Sequence, residues 1–226
     1  MPLDQSATLE LFAFNWVPDM ARGMVRDLRP RWAMEEAGLS YRTHLLNAGE
    51  ARPESYFLKQ PFGQVPTLAD NGIVVFESGA ILLHLAEKSD ILMPKTAAGR
   101  AATQSWLFAA LNSVESFVFE LFFINVMYAD EEWARLRQPG AEDFMRRRLA
   151  PVSGALGDKE YLTGQFTVAD IAMATVLREL DRYLPLAEFP NLDAYLKRCL
   201  ARPAFQRALD AQLADLTAPA PETFPA

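Results

Sequence analysis

Among 226 residues there is one cysteine, Cys199, and there are two histidines, His44 and His84. A single thiol excludes an internal disulfide framework. The two imidazoles lie far apart in sequence with no ligand spacing around them, so no metal is expected. Cations are scarce relative to anions: 22 Lys and Arg against 29 Asp and Glu, a formal net charge of −7. That balance argues against nucleic acid or another polyanion as partner and suits a small ligand held by local groups. The opening MPLDQSATLELF has no basic segment followed by a long apolar run, so no signal peptide is expected. No apolar stretch reaches the roughly 18 residues of a membrane span. The segment LFFINVMYA is short and is bracketed by Glu120 and Asp130. The expectation is a soluble cytoplasmic protein with no membrane partner.

Apolar residues make up 50% of the chain, enough for a packed core. The first part alternates element types. ATLELFAF reads as a strand, LRPRWAMEEAG as a helix with Asp27 as its N-cap and Gly38 at its end, and YRTHLLN as a second strand. PESYFLKQ is at most a short helix. VPTLAD and IVVFE flank Asn71-Gly72, a type I′ hairpin signal, and SGAILLHLAEKS is an apolar helix. A helical crossover makes the first two strands parallel, and the tight turn makes the last two antiparallel. From Ala101 onward helical periodicity takes over, with helices expected over 101–127, 130–136, 141–156, 167–183, 191–200 and 203–214. Pro139-Gly140 is read as a break between two of them. In FTVADI, Thr167 and Asp170 have the spacing of a capping box, a structural feature that nucleates its helix. The resulting division is a mixed-sheet domain over 1–88, a linker over 89–100, an all-helical domain over 101–214 and a disordered tail over 215–226.

One stretch does not fit a plain hairpin. In GQVPTLADNGIVVFESGA, Pro66 stands where a strand would need a ladder donor. GQVPTL, ESGAI and FTVADI, in that order on an α/β module and then a helical one, resemble the cytosolic glutathione transferase family. The resemblance covers about residues 8–214. It implies a thioredoxin-like domain packed on an α-helical domain, a homodimer, and glutathione as co-substrate.

The resemblance also assigns roles. The Val65-Pro66 peptide is expected to be cis and to turn the Val65 backbone toward the extended backbone of glutathione, as an added strand would be held. Ser78, at a helix start where free N–H groups favour an anion, is expected to bind the γ-glutamyl carboxylate, with Glu77 helping to position the same end. A bare N-cap role for Ser78 is the alternative. Gln64, and more weakly Gln60, are candidates for the glycyl end. Lys59 either pairs with that carboxylate or is a solvated surface charge.

The chain departs from the family at the thiol. Relatives lower the thiol pKa with a tyrosine, serine or cysteine near the end of the first strand or the next helix start, and none of the three occurs between Ser6 and Ser40. Two candidates remain. Asn15 can donate an amide hydrogen bond to sulfur, and Arg26 (or neighbouring Arg22 or Arg29) can stabilise a thiolate by fixed charge. Solvated, salt-bridged loop arginines are the competing reading. A small hydrophobic electrophile is expected between the domains, against some of the aromatic residues of SWLFAALNSVESFVFELFFINVMY, where Phe119, Phe122 and Phe123 share a helical face. Three functions stay open: transfer of glutathione to that electrophile, glutathione-dependent reduction of a disulfide or peroxide, and binding or regulation without catalysis.

Overall fold

The computed structural model describes residues 2–220. The chain divides into two compact units: the residues up to Leu92 together with the chain from Arg202 onward, and Met93–Ala201.

The first unit is built on a four-stranded sheet of order β2-β1-β3-β4. β1 is Leu9–Trp16, β2 Tyr41–Asn47, β3 Thr67–Asp70 and β4 Ile73–Phe76. β1 pairs parallel with β2 and antiparallel with β3, and β3 pairs antiparallel with β4. Helix α1, Leu28–Ala37, makes the crossover from β1 to β2 and ends at Gly38 with φ 64°. That left-handed conformation costs a glycine nothing. Short α2, Glu54–Phe57, precedes β3, and α3, Ser78–Ala86, follows β4. Alternate β1 residues Leu9, Leu11 and Ala13 are buried, as is Phe12, and with Trp32, Met34, Leu68, Ile81 and Leu85 they make the core.

The last helix, α9, Pro203–Asp215, packs on α1 in this unit, although its sequence follows the helical half. Charge fixes that contact. Arg31, fully buried, donates from Nε to Asp27 at 2.8 Å and from Nη2 to Asp215 at 2.6 Å. Arg207 pairs with Glu35 at 2.6 Å, and Arg202 with Glu36 at 2.5 Å. Asp27 holds the N-cap position expected of it but does not cap the helix with its side chain. It has helical φ and ψ, makes no capping bond, and spends its carboxylate on Arg31 and on Gln212 Nε2 at 2.6 Å. The tail expected over 215–226 is ordered where it is described: Leu216 is buried and the Ala218 N–H donates to Asn15 O at 3.0 Å. Residues 221–226 lie outside the described residues.

The second unit is helical. α4, Ala97–Phe108, continues through a π-helical stretch, Ala109–Glu115, into α5, Ser116–Phe122, and a second π-helical stretch, Phe123–Met127. This 31-residue run, Ala97–Met127, reaches a mean hydropathy of 1.7 in an 18-residue window. It is long and apolar enough to cross a membrane, contrary to the expectation that no such stretch exists. Glu120 bounds LFFINVMYA in the sequence, but the helix runs on through it, with Glu120 half-buried. One side, with Leu107, Ala110, Val114, Val118 and Leu121 buried, packs toward α7, Val168–Leu180. α6, Glu132–Leu156, is one helix of 25 residues where two were expected, and it passes through Pro139 and Pro151. Each proline removes one intrahelical bond, and packing of Ala141, Met145, Leu149 and Val152 carries the helix through. α8 is Pro190–Leu200. The capping box at the start of α7 is present. Buried Asp170 accepts from the N–H groups of Leu162 and Thr167 and from the Tyr195 hydroxyl, and Cys199 is buried nearby in α8.

At the other end of the first unit, Asp70 ties the β3–β4 hairpin to α3. Its carboxylate accepts from Lys88 Nζ at 2.6 Å and His84 Nε2 at 2.7 Å. The Lys88 hydrogen bond is the main cause of an Asp70 pKa below its ordinary value. A carboxyl whose folded pKa is depressed adds stability above its unfolded pKa of about 3.9, and that stability is lost as pH falls through the folded value. Denaturant melts between about pH 5 and 2 test this. Wild type should lose stability faster than Asp70→Asn as the solution is acidified; parallel curves for the two would contradict the assignment.

Candidate functional site

Strand directions bring the sequence candidates together. β3 is antiparallel to β1, so the start of β3 lies beside the end of β1, with Thr67 opposite Phe12. β4 is antiparallel to β3, and Phe76 pairs with the same Thr67. Asn15, Val65-Pro66 and Glu77-Ser78 therefore emerge at one end of the sheet. Because α1 is the crossover of a parallel pair, its N-terminus lies at that end too, with Arg26 just before it. Open α/β sheets present ligand sites at such strand ends.

Asn15 sits where the β1–β2 register slips between Phe14 and Trp16. A bulge of this kind re-aims a side chain. The Asn15 Oδ1 is buried with no hydrogen-bond partner among the described residues.

The Val65–Pro66 peptide bond is cis, and Val65 precedes the first paired residue of β3. Three side chains hold the loop that leads to it. Gln60, buried, accepts through Oε1 from the N–H of Phe62 at 2.6 Å and of Gln64 at 3.2 Å. Arg52 donates from Nε to Gly63 O at 3.1 Å and from Nη1 to Asn47 O and Glu50 O. The Tyr56 hydroxyl donates to Gln64 O at 2.7 Å and lies 3.0 Å from Thr67 Oγ1. Burial raises the Tyr56 pKa, so the phenol keeps its proton and its donor role. Gln60 is thus committed to the loop, and Lys59 stands 5.9 Å over the Phe12 ring. Sequence reasoning passed over Arg52 and Tyr56, since neither sits in a recognisable local pattern; their partners are backbone carbonyls.

Glu77 has φ 70° and ψ 123°. A left-handed backbone on a side-chain-bearing residue costs about 1–3 kcal/mol and concentrates at functional positions. Glu77 occupies the cap position of α3, and Ser78 is the first helical residue. The Ser78 hydroxyl makes no capping bond. It accepts instead from Arg29 Nη1 at 3.0 Å, and both residues are buried. The reading of Arg29 as a solvated loop charge is therefore wrong. Arg29 is in the first turn of α1, on the face opposite Asp27 and Arg31, and reaches into the start of α3.

Within the second unit, Phe119, Phe122 and Phe123 touch one another, with ring centroids 5.6 to 6.2 Å apart. Ser116, Phe119, Glu120, Phe123, Ile124, Tyr128 and Trp133 line a hollow of about 500 Å³. Phe117 belongs to another cluster, against Phe144 and Arg148. No group of residues suited to hold a metal occurs among the described residues.

This fold has known counterparts. The family model for the glutathione S-transferase N-terminal domain matches residues 20–87, and that for the C-terminal domain matches residues 137–203. The chain belongs to the glutathione S-transferase family. It is 31% identical over 202 residues to the disulfide-bond oxidoreductase YfcG of Escherichia coli (strain K12), covering 80% of this chain and 89% of that protein. A glutathione transferase family member from Pseudomonas fluorescens pf-5, solved with two glutathione bound, superposes with a TM-score of 0.78 at 25% identity over 91% of this chain and 94% of its own. A glutathione transferase from Burkholderia graminis, solved with two glutathione molecules per subunit, gives 0.76 at 26% identity over 90% and 88%.

The loop network makes a stability prediction. Tyr56→Phe deletes a buried hydroxyl shared by Gln64 O and Thr67 and should destabilise the protein by about 1–2 kcal/mol. Amide exchange at Gly63 and Gln64 should quicken. Unchanged exchange there would show that the phenol does not hold the loop.

Proposed function

We propose that this protein is a cytoplasmic, homodimeric glutathione transferase. Residues 1–88 form its glutathione-binding domain, and the reaction moves glutathione sulfur to a small hydrophobic electrophile. The observation that carries this reading is the meeting of Asn15, Val65-Pro66 and Glu77-Ser78 at one sheet end, on a chain of this family. The Val65 backbone pairs with the tripeptide as an added strand would. Ser78, the free N–H groups of α3 and Glu77 hold the γ-glutamyl end. Gln64 lies toward the glycyl end.

Activation of sulfur falls to Asn15 and Arg26. A free thiol has a pKa of about 8.5, and each unit of lowering takes about 1.4 kcal/mol of preferential thiolate stabilisation. An amide donor and a fixed positive charge both favour the anion. The tyrosine that is buried nearest the loop, Tyr56, is already committed to Gln64.

A second reading is glutathione-dependent disulfide reduction. The only cysteine is buried, the relative YfcG is a disulfide-bond oxidoreductase, and similar structures hold two glutathiones. One glutathione thiolate attacks the substrate disulfide and expels one thiolate, which takes up a proton. A second glutathione thiolate then attacks the mixed disulfide, yielding oxidised glutathione and the second substrate thiol. No enzyme sulfur is needed.

Retention on immobilised glutathione, followed by assays with an aryl halide and a disulfide, separates these readings. Conjugation supports the first and disulfide reduction alone supports the second; no retention and no turnover would leave a non-catalytic binding protein. Ser78→Ala should weaken glutathione binding about tenfold. Asn15→Ala should lower kcat more than it raises KM, and it should move the pH–rate profile to higher pH, because the bound thiol reverts toward its free pKa.

A further inference from the structure

We infer that the end of α9 and the residues after it, Gln212 to Ala218, form a positioning brace for the sulfur-activating groups: they hold Asn15 and the loop that carries Arg26. This rests on the reading that Asn15 and Arg26 serve the sulfur of bound glutathione.

Asn15 lies at a slip in the sheet. The β1–β2 register passes from Phe14 to Trp16, and the β1–β3 register ends at Phe12, so Asn15 has a partner residue in neither. A bulged residue drops out of the ladder, and its backbone groups need partners from elsewhere. One comes from the far end of the chain: the Ala218 N–H donates to Asn15 O at 3.0 Å. Asn15 Oδ1 is buried with no hydrogen-bond partner among the described residues. No bond to that oxygen steadies the amide, so its aim depends on the peptide behind it, and Ala218 fixes that peptide.

The same segment holds the chain on both sides of Arg26. Gln212 Nε2 donates to Val25 O at 3.0 Å and to Asp27 Oδ1 at 2.6 Å, and Gln212 is buried. The brace is itself anchored. Asp215 accepts from fully buried Arg31 at 2.6 Å. Beyond it the Leu216 N–H donates to Leu213 O at 3.2 Å and the Thr217 N–H to Asp215 O at 2.9 Å, with the Leu216 side chain buried. Ala218 follows directly, so little slack separates the ion pair from the bulge. All of these residues belong to the first unit. A donor to sulfur weakens steeply when misaligned, and a small misplacement at a reacting atom costs rate.

The test reads the bound thiol. Thiolate absorbs in the near ultraviolet where thiol does not, so titrating the complex with glutathione gives the pKa of the bound thiol; kcat and KM are measured alongside. Ala218→Pro deletes the N–H. It should raise the bound thiol pKa toward the free value of about 8.5. It should lower kcat about fivefold and leave KM for glutathione within about twofold. Ala218→Val keeps the N–H and should recover most of the loss. Added to Asn15→Ala, Ala218→Pro should move the thiol no further, because the bond acts through Asn15; a further shift would overturn the inference. So would folded Ala218→Pro with the wild-type thiol pKa or with no glutathione binding, or Ala218→Val with an equal shift, while the glutathione reading stands. Should thermal melts show Ala218→Pro unfolded, Gln212→Met, which releases Val25 and Asp27, decides by the same titration. If Asn15→Ala leaves the bound thiol unchanged, the role of Asn15 falls and this inference with it. Wild type that binds no glutathione sinks both.

Discussion

The pairing of β1 with a parallel neighbour on one side and an antiparallel neighbour on the other is the constraint from which the site follows. Parallel pairing with β2 forces a crossover and so brings the start of α1 to the end of β1. Antiparallel pairing with β3 brings a loop to the same end, and the Asn71-Gly72 turn returns β4 there to launch α3. Had β3 paired parallel to β1, Pro66 and Ser78 would both open at the end of the sheet opposite Asn15. The bulge at Asn15, the cis Val65–Pro66 bond and the left-handed Glu77 are three backbone irregularities collected at that one end.

Much of this was legible because it is local. The strand alternation of LELFAF, the Asn-Gly turn and the Thr167–Asp170 box each declare themselves within a few residues, and the motif order gave the family. What escaped notice depends on partners distant in sequence. Asp27 looks like a cap, yet its partners are Arg31 and Gln212 across the α1–α9 contact. Arg29 looks like a surface charge, yet it is closed off beneath α3 and bonded to a residue 49 positions away. Pro139 looks like a stop, but the apolar face of α6 continues on both sides of it and outweighs one lost bond. The length of the 97–127 run was missed because the reading stopped its apolar segment at Glu120, which the helix passes through.

Helix α1 shows how one segment serves two ends. Its acidic and basic residues at i, i+4 spacing hold α9, a helix contributed by the far end of the chain, while Arg29 on the other face meets α3. Replacing the buried ion pairs with apolar residues need not cost stability, but removing a single partner would strand a charge. Such pairs favour one register of α9 over its neighbours, because a shift by a turn would separate Asp215 from Arg31 and Arg207 from Glu35.

The solitary thiol of the chain, Cys199, is shut inside the helical unit beside Tyr195 and Asp170. The polypeptide therefore keeps no redox memory between turnovers: it cannot be left half-oxidised, and needs no partner to reset it. If thiol exchange runs here, both reducing equivalents arrive from solution.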